Sequence, residues 1–363
     1  MSIQLNLSPL SSYIPHQHPL IISGPCSVET EAQVHAAAAG LAALGKASVL
    51  RGGIWKPRTR PNAFEGIGNV GLKWLVDAAK QHNFLSATEV ANAAHVEAAL
   101  KAGVDILWIG ARTTVNPFSV QEIADAVKGQ DVPVWVKNPL NPDLQLWIGA
   151  LERIAQAGIT KIAAIHRGFA PNGPSQYRNP PKWDLAIELK RQIPNLEMIC
   201  DPSHISGNRE LLLPVAQKAL DLEMSGLMLE THCTPDEAWS DAKQQITPEK
   251  FGELLDKLVI RKVEVDAKSL SELEEIRKQI DLVDEDIIEK IASRMKLVEQ
   301  IAEYKAQHNI TILQMDRWKH VIDRWNAEGA RFGLAEDFIS NVLQAVHKES
   351  IRKQTGRMNK REE

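Results

Sequence analysis

Between residue 20 and about residue 231, short apolar runs rich in β-branched residues alternate with longer Ala-rich amphipathic stretches. The runs at 20–23, 48–51, 84–87, 106–109, 134–136, 161–165, 197–200 and 226–229 predict eight strands. Strands that alternate with helical patterns predict βαβ units, and eight such units over roughly 230 residues predict a (β/α)8 TIM barrel of the α/β class. A doubly wound sheet is the alternative. It usually uses fewer strands, and no Gly-rich dinucleotide fingerprint follows the first run.

The pattern changes near Val259. Residues 261–268 are charged and carry no strand alternation. From Ser269 the period becomes helical, and Leu273, Ile276, Ile280, Val283, Ile287, Ile291, Leu297, Val298 and Ile301 trace one apolar stripe over 269–306. So long and narrow a stripe needs further helices or a second chain to cover it. Two more helices are predicted over 316–328 and 335–354, separated near Gly329 and Gly333. The domains expected are therefore a barrel over 1–258, a linker over 259–268, an all-α domain over 269–355 and a charged tail over 356–363.

Composition narrows the function. A chain of 363 residues exceeds one compact domain, and 44% hydrophobic content is ordinary for a globular protein. A formal charge of -4 argues against nucleic-acid binding. No run is long enough to span a bilayer, and the first twenty residues lack a leader pattern. Three cysteines, Cys26, Cys200 and Cys233, cannot all pair within one chain. Their number and spacing suit a reducing compartment, so the cytoplasm is expected.

Polar residues follow each predicted strand. Gly24-Pro25-Cys26-Ser27 follows the first, and Arg51-Gly52-Gly53-Ile54-Trp55-Lys56-Pro57-Arg58-Thr59 closes the second. Thr88-Glu89, Gly110-Ala111-Arg112, Lys137-Asn138, His166-Arg167, Asp201-Pro202-Ser203-His204 and Glu230-Thr231-His232 follow the rest. Active sites of such barrels lie at the strands' carboxyl ends. Arg51, Lys56, Arg58, Arg112, Lys137 and Arg167 form a set of cations suited to a ligand with several negative charges. Cys26, His204, Glu230 and Asp241 form a thiol, imidazole and carboxylate set suited to a divalent first-row metal. Each residue alone has a blander reading: a small core thiol, a hydrogen-bonded imidazole, a solvated acid, a basic surface loop. Their joint placement favours the metal and the anion.

The motifs GPCS at Gly24, RGGIWKPRT at Arg51, IGARTT at Ile109, VKNP at Val136, HRGF at His166, DPSHISGNR at Asp201 and LETHCTPDEAWSD at Leu229 resemble those of 3-deoxy-D-arabino-heptulosonate 7-phosphate (DAHP) synthases of the compact-barrel subgroup. The resemblance implies that Cys26, His204, Glu230 and Asp241 ligate a divalent metal, manganese ahead of iron, cobalt or zinc. It implies that Arg51, Lys56, Arg112, Lys137 and Arg167 hold phosphoenolpyruvate, with Lys56 also catalytic and Ala111 also substrate-binding. Arg58 and Thr59 would take the phosphate of erythrose 4-phosphate. Glu89 is the candidate for positioning the attacking water. A 3-deoxy-octulosonate 8-phosphate synthase is the rival within this chemistry, and the KPRT run argues against it.

On the long helix, Arg277 and Arg294 lie about 26 Å apart along the axis, too far for one small ligand on one helix. Arg294 and Lys305 share a face. Residues 269–355 resemble an all-helical chorismate mutase at Arg277, Arg294, Lys305, Arg317, Ser350 and Gln354. The resemblance implies an intertwined homodimer or higher oligomer, with Arg277 reaching the partner's site. It implies chorismate as substrate and prephenate as product, with Arg277, Arg294, Lys305 and Gln354 catalytic and Arg317 and Ser350 binding. Trp318 stands where that family usually carries Glu, and Gln314 where an acid is common. That departure keeps a second reading open, in which the helices only dimerise the chain and sense a ligand. The fusion itself leads us to expect feedback, with chorismate or prephenate on the helices lowering barrel activity.

Overall fold

A computed structural model describes residues 3–57, 63–261 and 267–359. They divide into two compact units, Met1–Val263 and Glu264–Glu363.

In the first unit eight strands close a parallel barrel in sequence order. They are β1 (Leu20–Gly24), β2 (Val49–Arg51), β3 (Leu85–Val90), β4 (Ile106–Ile109), β5 (Val134–Lys137), β6 (Ile162–His166), β7 (Met198–Cys200) and β8 (Gly226–Glu230). The barrel shuts where Leu20 to Gly24 pair with Gly226 to Glu230. Every strand except β3 is buried at all its positions and so reads mostly as an apolar run, while β3 is part-exposed at Leu85 and Glu89. Side chains still alternate. Ile22, Val49, Trp108, Trp135, Ile165, Ile199 and Met228 form the barrel interior. Their neighbours Ile21, Leu50, Leu107, Val136, Ala164, Cys200 and Leu227 pack under the helices.

Several helix starts follow side-chain caps. Thr30 accepts from the Gln33 amide, Asn92 from His95, Asn116 from Phe118 and Thr247 from Lys250. Such caps typically contribute about 1 kcal/mol each. The first residues hold a feature that the apolar pattern does not announce. Leu10 and Ile14 are fully buried and join the interior cluster. The Leu10 amide donates to the Glu197 carboxylate just ahead of β7, so this segment stoppers the end opposite the strands' carboxyl termini.

Among its described residues, the second unit holds three helices: Ala267–Gln307, Met315–Arg331 and Glu336–Met358. The last runs further than the expected end of regular structure at residue 355. Met295, Val298 and Ala302 of the long helix and Ile339, Leu343 and Val346 of the last are the unit's buried apolar side chains among the described residues. The rest of the predicted stripe is uncovered. Ile276, Ile280, Val283 and Ile287 are each at least half exposed.

Candidate active sites

Period-two alternation places the chemistry of the barrel. Val49, Ala87, Trp135, Ile165, Ile199 and Met228 face the interior. Two residues further along lie Arg51, Glu89, Lys137, Arg167, Asp201 and Glu230, which therefore crown the same interior at the carboxyl ends. Thr88 and Glu89 belong to β3 itself rather than following it.

Arg51 and Glu230 make a fully buried ion pair at 2.7 Å, and a second Arg51 nitrogen donates to the Cys26 carbonyl at 3.1 Å. Lys137 pairs with buried Asp201 at 2.9 Å. Both cations lie over the Trp108 ring, Arg51 at 5.0 Å and Lys137 at 5.5 Å from its centroid. The Lys56 ammonium sits 3.0 Å from the Cys26 carbonyl and 2.9 Å from its sulfur. Arg167 is buried, its backbone held by the Asn138 side chain at 2.7 Å. Burial pulls the Arg167 pKa down to about 10, Asp201 opposes this, and Arg178 and Arg112 add to it. Arg112 is exposed, and Ala111 opens the short helix Ala111–Thr114 after Gly110. Arg58 and Thr59 lie outside the described residues.

The ligand atoms of Cys26, Glu230 and Asp241 all lie within 4.8 Å of one another. Cys26 Sγ is 3.4 Å from Asp241 Oδ2. His204, expected as a fourth ligand, stands outside that cluster. Its Nδ1 is 3.8 Å from Glu230 Oε1 but only 2.8 Å from Asp201 Oδ2. Burial pushes the Asp201 pKa up, and His204 and Lys137 outweigh it, so the acid stays ionised. Burial likewise pushes the Cys26 thiol up to about 12, with Glu230 in the same direction and Lys56 against. Such a thiol keeps its proton unless a metal cation displaces it. One thiol and two carboxylates converging in a buried site, with an imidazole beside them, fit a divalent first-row ion.

Glu89 accepts from Trp108 Nε1 at 2.9 Å, and its other oxygen lies against Gly110. A Cβ on Gly110 would come within 2.1 Å of Glu89 Oε1, so only glycine leaves the carboxylate in place. Asp201, Trp108 and Gln244 were not singled out from sequence as site residues. Parity along β7 and β4 would have found the first two. Nothing local marks Gln244, which donates to Glu230 Oε2 at 2.7 Å from beyond β8. His166 has the opposite parity to Arg167 and faces outward, among Trp147, Phe169 and Trp183.

In the helical unit Arg294 donates to Ser350 Oγ at 2.6 Å, and Gln354 Nε2 lies 3.4 Å from the Ser350 carbonyl. Gln354 Oε1 is buried without a hydrogen-bond partner among the described residues. Lys305 is buried and donates to the Ile312 carbonyl at 2.5 Å. Arg277 is exposed and pairs only with Glu274, at 2.6 Å, among the described residues. Arg317 is exposed. Trp318 stacks on His347 with centroids 3.6 Å apart.

A closed parallel barrel that gathers buried ion pairs at its strands' carboxyl ends is an enzyme barrel of the (β/α)8 class. Residues 13–266 match the DAHP synthetase I family, and the chain belongs to that family. Residues 276–355 match chorismate mutase type II. The chain thus carries a DAHP synthase domain, a transferase, and a chorismate mutase domain, an isomerase. It is 34% identical over 239 residues to the phospho-2-dehydro-3-deoxyheptonate aldolase of Thermotoga maritima, covering 66% of this chain and 68% of the relative. The crystal structure of a Thermotoga maritima DAHP synthase superposes with a TM-score of 0.62 at 31% identity, covering 70% of this chain and 72% of the other. A 2-dehydro-3-deoxyphosphooctonate aldolase of Brucella ovis is 26% identical over 271 residues, covering 66% of this chain and 89% of the relative. Among the described residues, no helix is long and apolar enough to cross a membrane.

Proposed function

We propose that the barrel joins phosphoenolpyruvate to erythrose 4-phosphate with a divalent metal, and that the helical unit converts chorismate to prephenate. The observation that carries the barrel reading is the arc of Arg51, Lys56, Lys137 and Arg167 around Cys26, Glu230 and Asp241. Cations of this number, three of them buried, match a substrate that brings a carboxylate and a phosphate together. Arg51, Lys56, Ala111, Arg112, Lys137 and Arg167 hold the enol phosphate, and Arg58 and Thr59 take the sugar phosphate. Their task is to keep two mutually repelling anions at reacting distance. Cys26, His204, Glu230 and Asp241 would hold the metal, with His204 offering Nε2 because Nδ1 faces Asp201. When bound, the ion supplies a Lewis acid for the aldehyde oxygen. The new bond joins C3 of the enol phosphate to the aldehyde carbon, water adds at C2 and inorganic phosphate departs. Glu89, steadied by Trp108 and Gly110, orients that water and takes its proton.

In the helical unit, Arg294, Lys305, Arg317, Ser350 and Gln354 grip the dicarboxylate. Lys305 and Gln354 face the ether oxygen as its C–O bond breaks. Arg277 comes from a second copy, and the uncovered stripe of Ile276, Ile280, Val283 and Ile287 is the surface that the copy covers. Prephenate on this site lowers barrel activity. Three free cysteines suit the cytoplasm as the site of work.

One assay series tests the reading. Purified chain should consume the enol phosphate with erythrose 4-phosphate, lose that activity to a chelator, regain it best with manganese, and consume chorismate. Arabinose 5-phosphate as the preferred sugar would transfer the barrel to the octulosonate chemistry. Condensation without chorismate loss would reduce the helices to a dimerising sensor, the reading that Trp318 stacked on His347 favours. Unchanged condensation under added prephenate would remove the feedback.

A further inference from the structure

Arg178 lies in the loop between β6 and the helix Trp183–Gln192. It touches neither the buried ion pairs at Arg51 and Lys137 nor Cys26. It is nevertheless bonded to the loop of Asp241 and to the helix of His204, and it reaches Glu230 through Gln244. Its NH1 reaches Asp241 Oδ1 at 3.0 Å and Gln244 Oε1 at 2.7 Å. The amide end of Gln244 in turn donates to Glu230 Oε2 at 2.7 Å. The backbone amide of Arg178 donates to the Ser206 carbonyl at 3.2 Å, and Asn179 Nδ2 donates to the His204 carbonyl at 2.6 Å. Gly207 ends the His204 helix with φ 70°, and a Cβ there would come within 2.4 Å of Arg178 Cβ. The helix and the loop therefore lie directly against each other.

We infer that Arg178 is the positioning residue of the metal site: with Gln244 as relay, it orients Asp241 and Glu230, and it clamps the loop of Asp241 to the helix that carries His204. Three features support this. The arginine occupies Oδ1 of Asp241, and so turns Oδ2 toward Cys26 Sγ, 3.4 Å away. Asp241 itself has φ 48°, a left-handed conformation uncommon outside glycine, and the Arg178 contact helps to hold it there. The Arg178 side chain is 45% exposed, so it adds little to the core and its removal leaves the barrel packing intact.

Electrostatics and positioning make opposite predictions. A guanidinium beside a ligand carboxylate repels a metal dication, so its removal would tighten binding if charge alone mattered. If orientation dominates, removal weakens binding by about 10- to 100-fold, as for other residues that hold ligands from behind. The inference rests on the metal reading above, and one experiment separates the two. Full-length chain stripped with a chelator is titrated with Co2+ alone, following the thiolate-to-cobalt charge-transfer band and the dissociation constant. Wild type should bind one ion, and Cys26→Ser should abolish the band. Absence of that band in wild type would overturn the metal reading and this inference with it. With the band present, Arg178→Met should weaken Co2+ by at least tenfold and shift the band. Arg178→Lys should restore part of the affinity, and Gln244→Leu should repeat the weakening without touching Asp241. Unchanged or tighter binding in Arg178→Met, or in Gln244→Leu should the first variant misfold, overturns the positioning role alone.

Discussion

His166 and Arg167 are neighbours at the end of one strand and do opposite things. Arg167 faces the barrel interior with the other cations. His166 faces the helices, wedged among three aromatic rings, with Nε2 2.6 Å from the Pro181 carbonyl and Nδ1 unpaired among the described residues. A carbonyl partner requires Nε2 to carry the proton, so Nδ1 is bare. Burial lowers the His166 pKa to about 4 against the Pro181 bond, which raises it. The consequence is a pH term in stability. Above pH 6.5 neither folded nor unfolded chain protonates this ring, and the term is constant. Between about 6.5 and 4 the unfolded chain takes up a proton that the folded chain refuses, so stability falls by about 3 kcal/mol in all. Denaturant unfolding of wild type and His166→Gln at pH 7.5 and pH 4.5 checks this. The wild type should lose more stability than the variant over that interval. Equal losses would mean that His166 titrates normally.

At the scale of elements, the approach of β4 to β3 decides whether Glu89 can work. Glu89 pairs with Trp108 across the two strands, and Gly110 continues β4 into the next turn. In Gly110→Ala the new methyl group meets the far end of a flexible side chain rather than backbone. The carboxylate then swings away while the barrel stays closed. Condensation should fall on the order of 100-fold, the scale of losing a positioned base, and the melting temperature should hardly change. A large fall in melting temperature with unchanged turnover per folded molecule would show that Glu89 has no such role. The same pair explains why the third strand runs longer than its apolar run. Its last interior position is an acid that hydrogen bonding to Trp108 retains, and hydrophobicity cannot mark it.

At the scale of the molecule, the helical unit shows a cluster in cis and one residue that cannot join it. Arg294 and Ser350 are bonded, Gln354 sits one turn beyond Ser350, and Arg277 points to solvent more than four turns away along the long helix. If two copies interlock through the uncovered stripe, each site takes Arg277 from the other chain. Arg277→Ala and Arg294→Ala should each cut chorismate turnover by at least 100-fold. Unfolded together and refolded as mixed dimers, they should recover activity, because one site in each mixed dimer then has both arginines. No recovery in verified mixed dimers would place Arg277 outside the partner's site.

Eight apolar runs with helical patterns between them suffice to specify a closed parallel barrel, because strands buried on both faces advertise themselves by composition. The position of the site followed from the same pattern. Period-two alternation carries each strand's interior face on to a polar residue at its carboxyl end, which is why Arg51, Lys137, Arg167 and Glu230 were legible. What the linear pattern could not decide is which polar groups meet across gaps of tens of residues. It did not show that Nδ1 of His204 faces Asp201, that Leu10 stoppers the barrel, or that Arg178 and Gln244 stand behind Asp241 and Glu230. Those contacts arise from loops whose residues obey no period. Only closure of the barrel brings them together, since a hydrogen bond depends on position in space and leaves no signature in the spacing of the residues that make it.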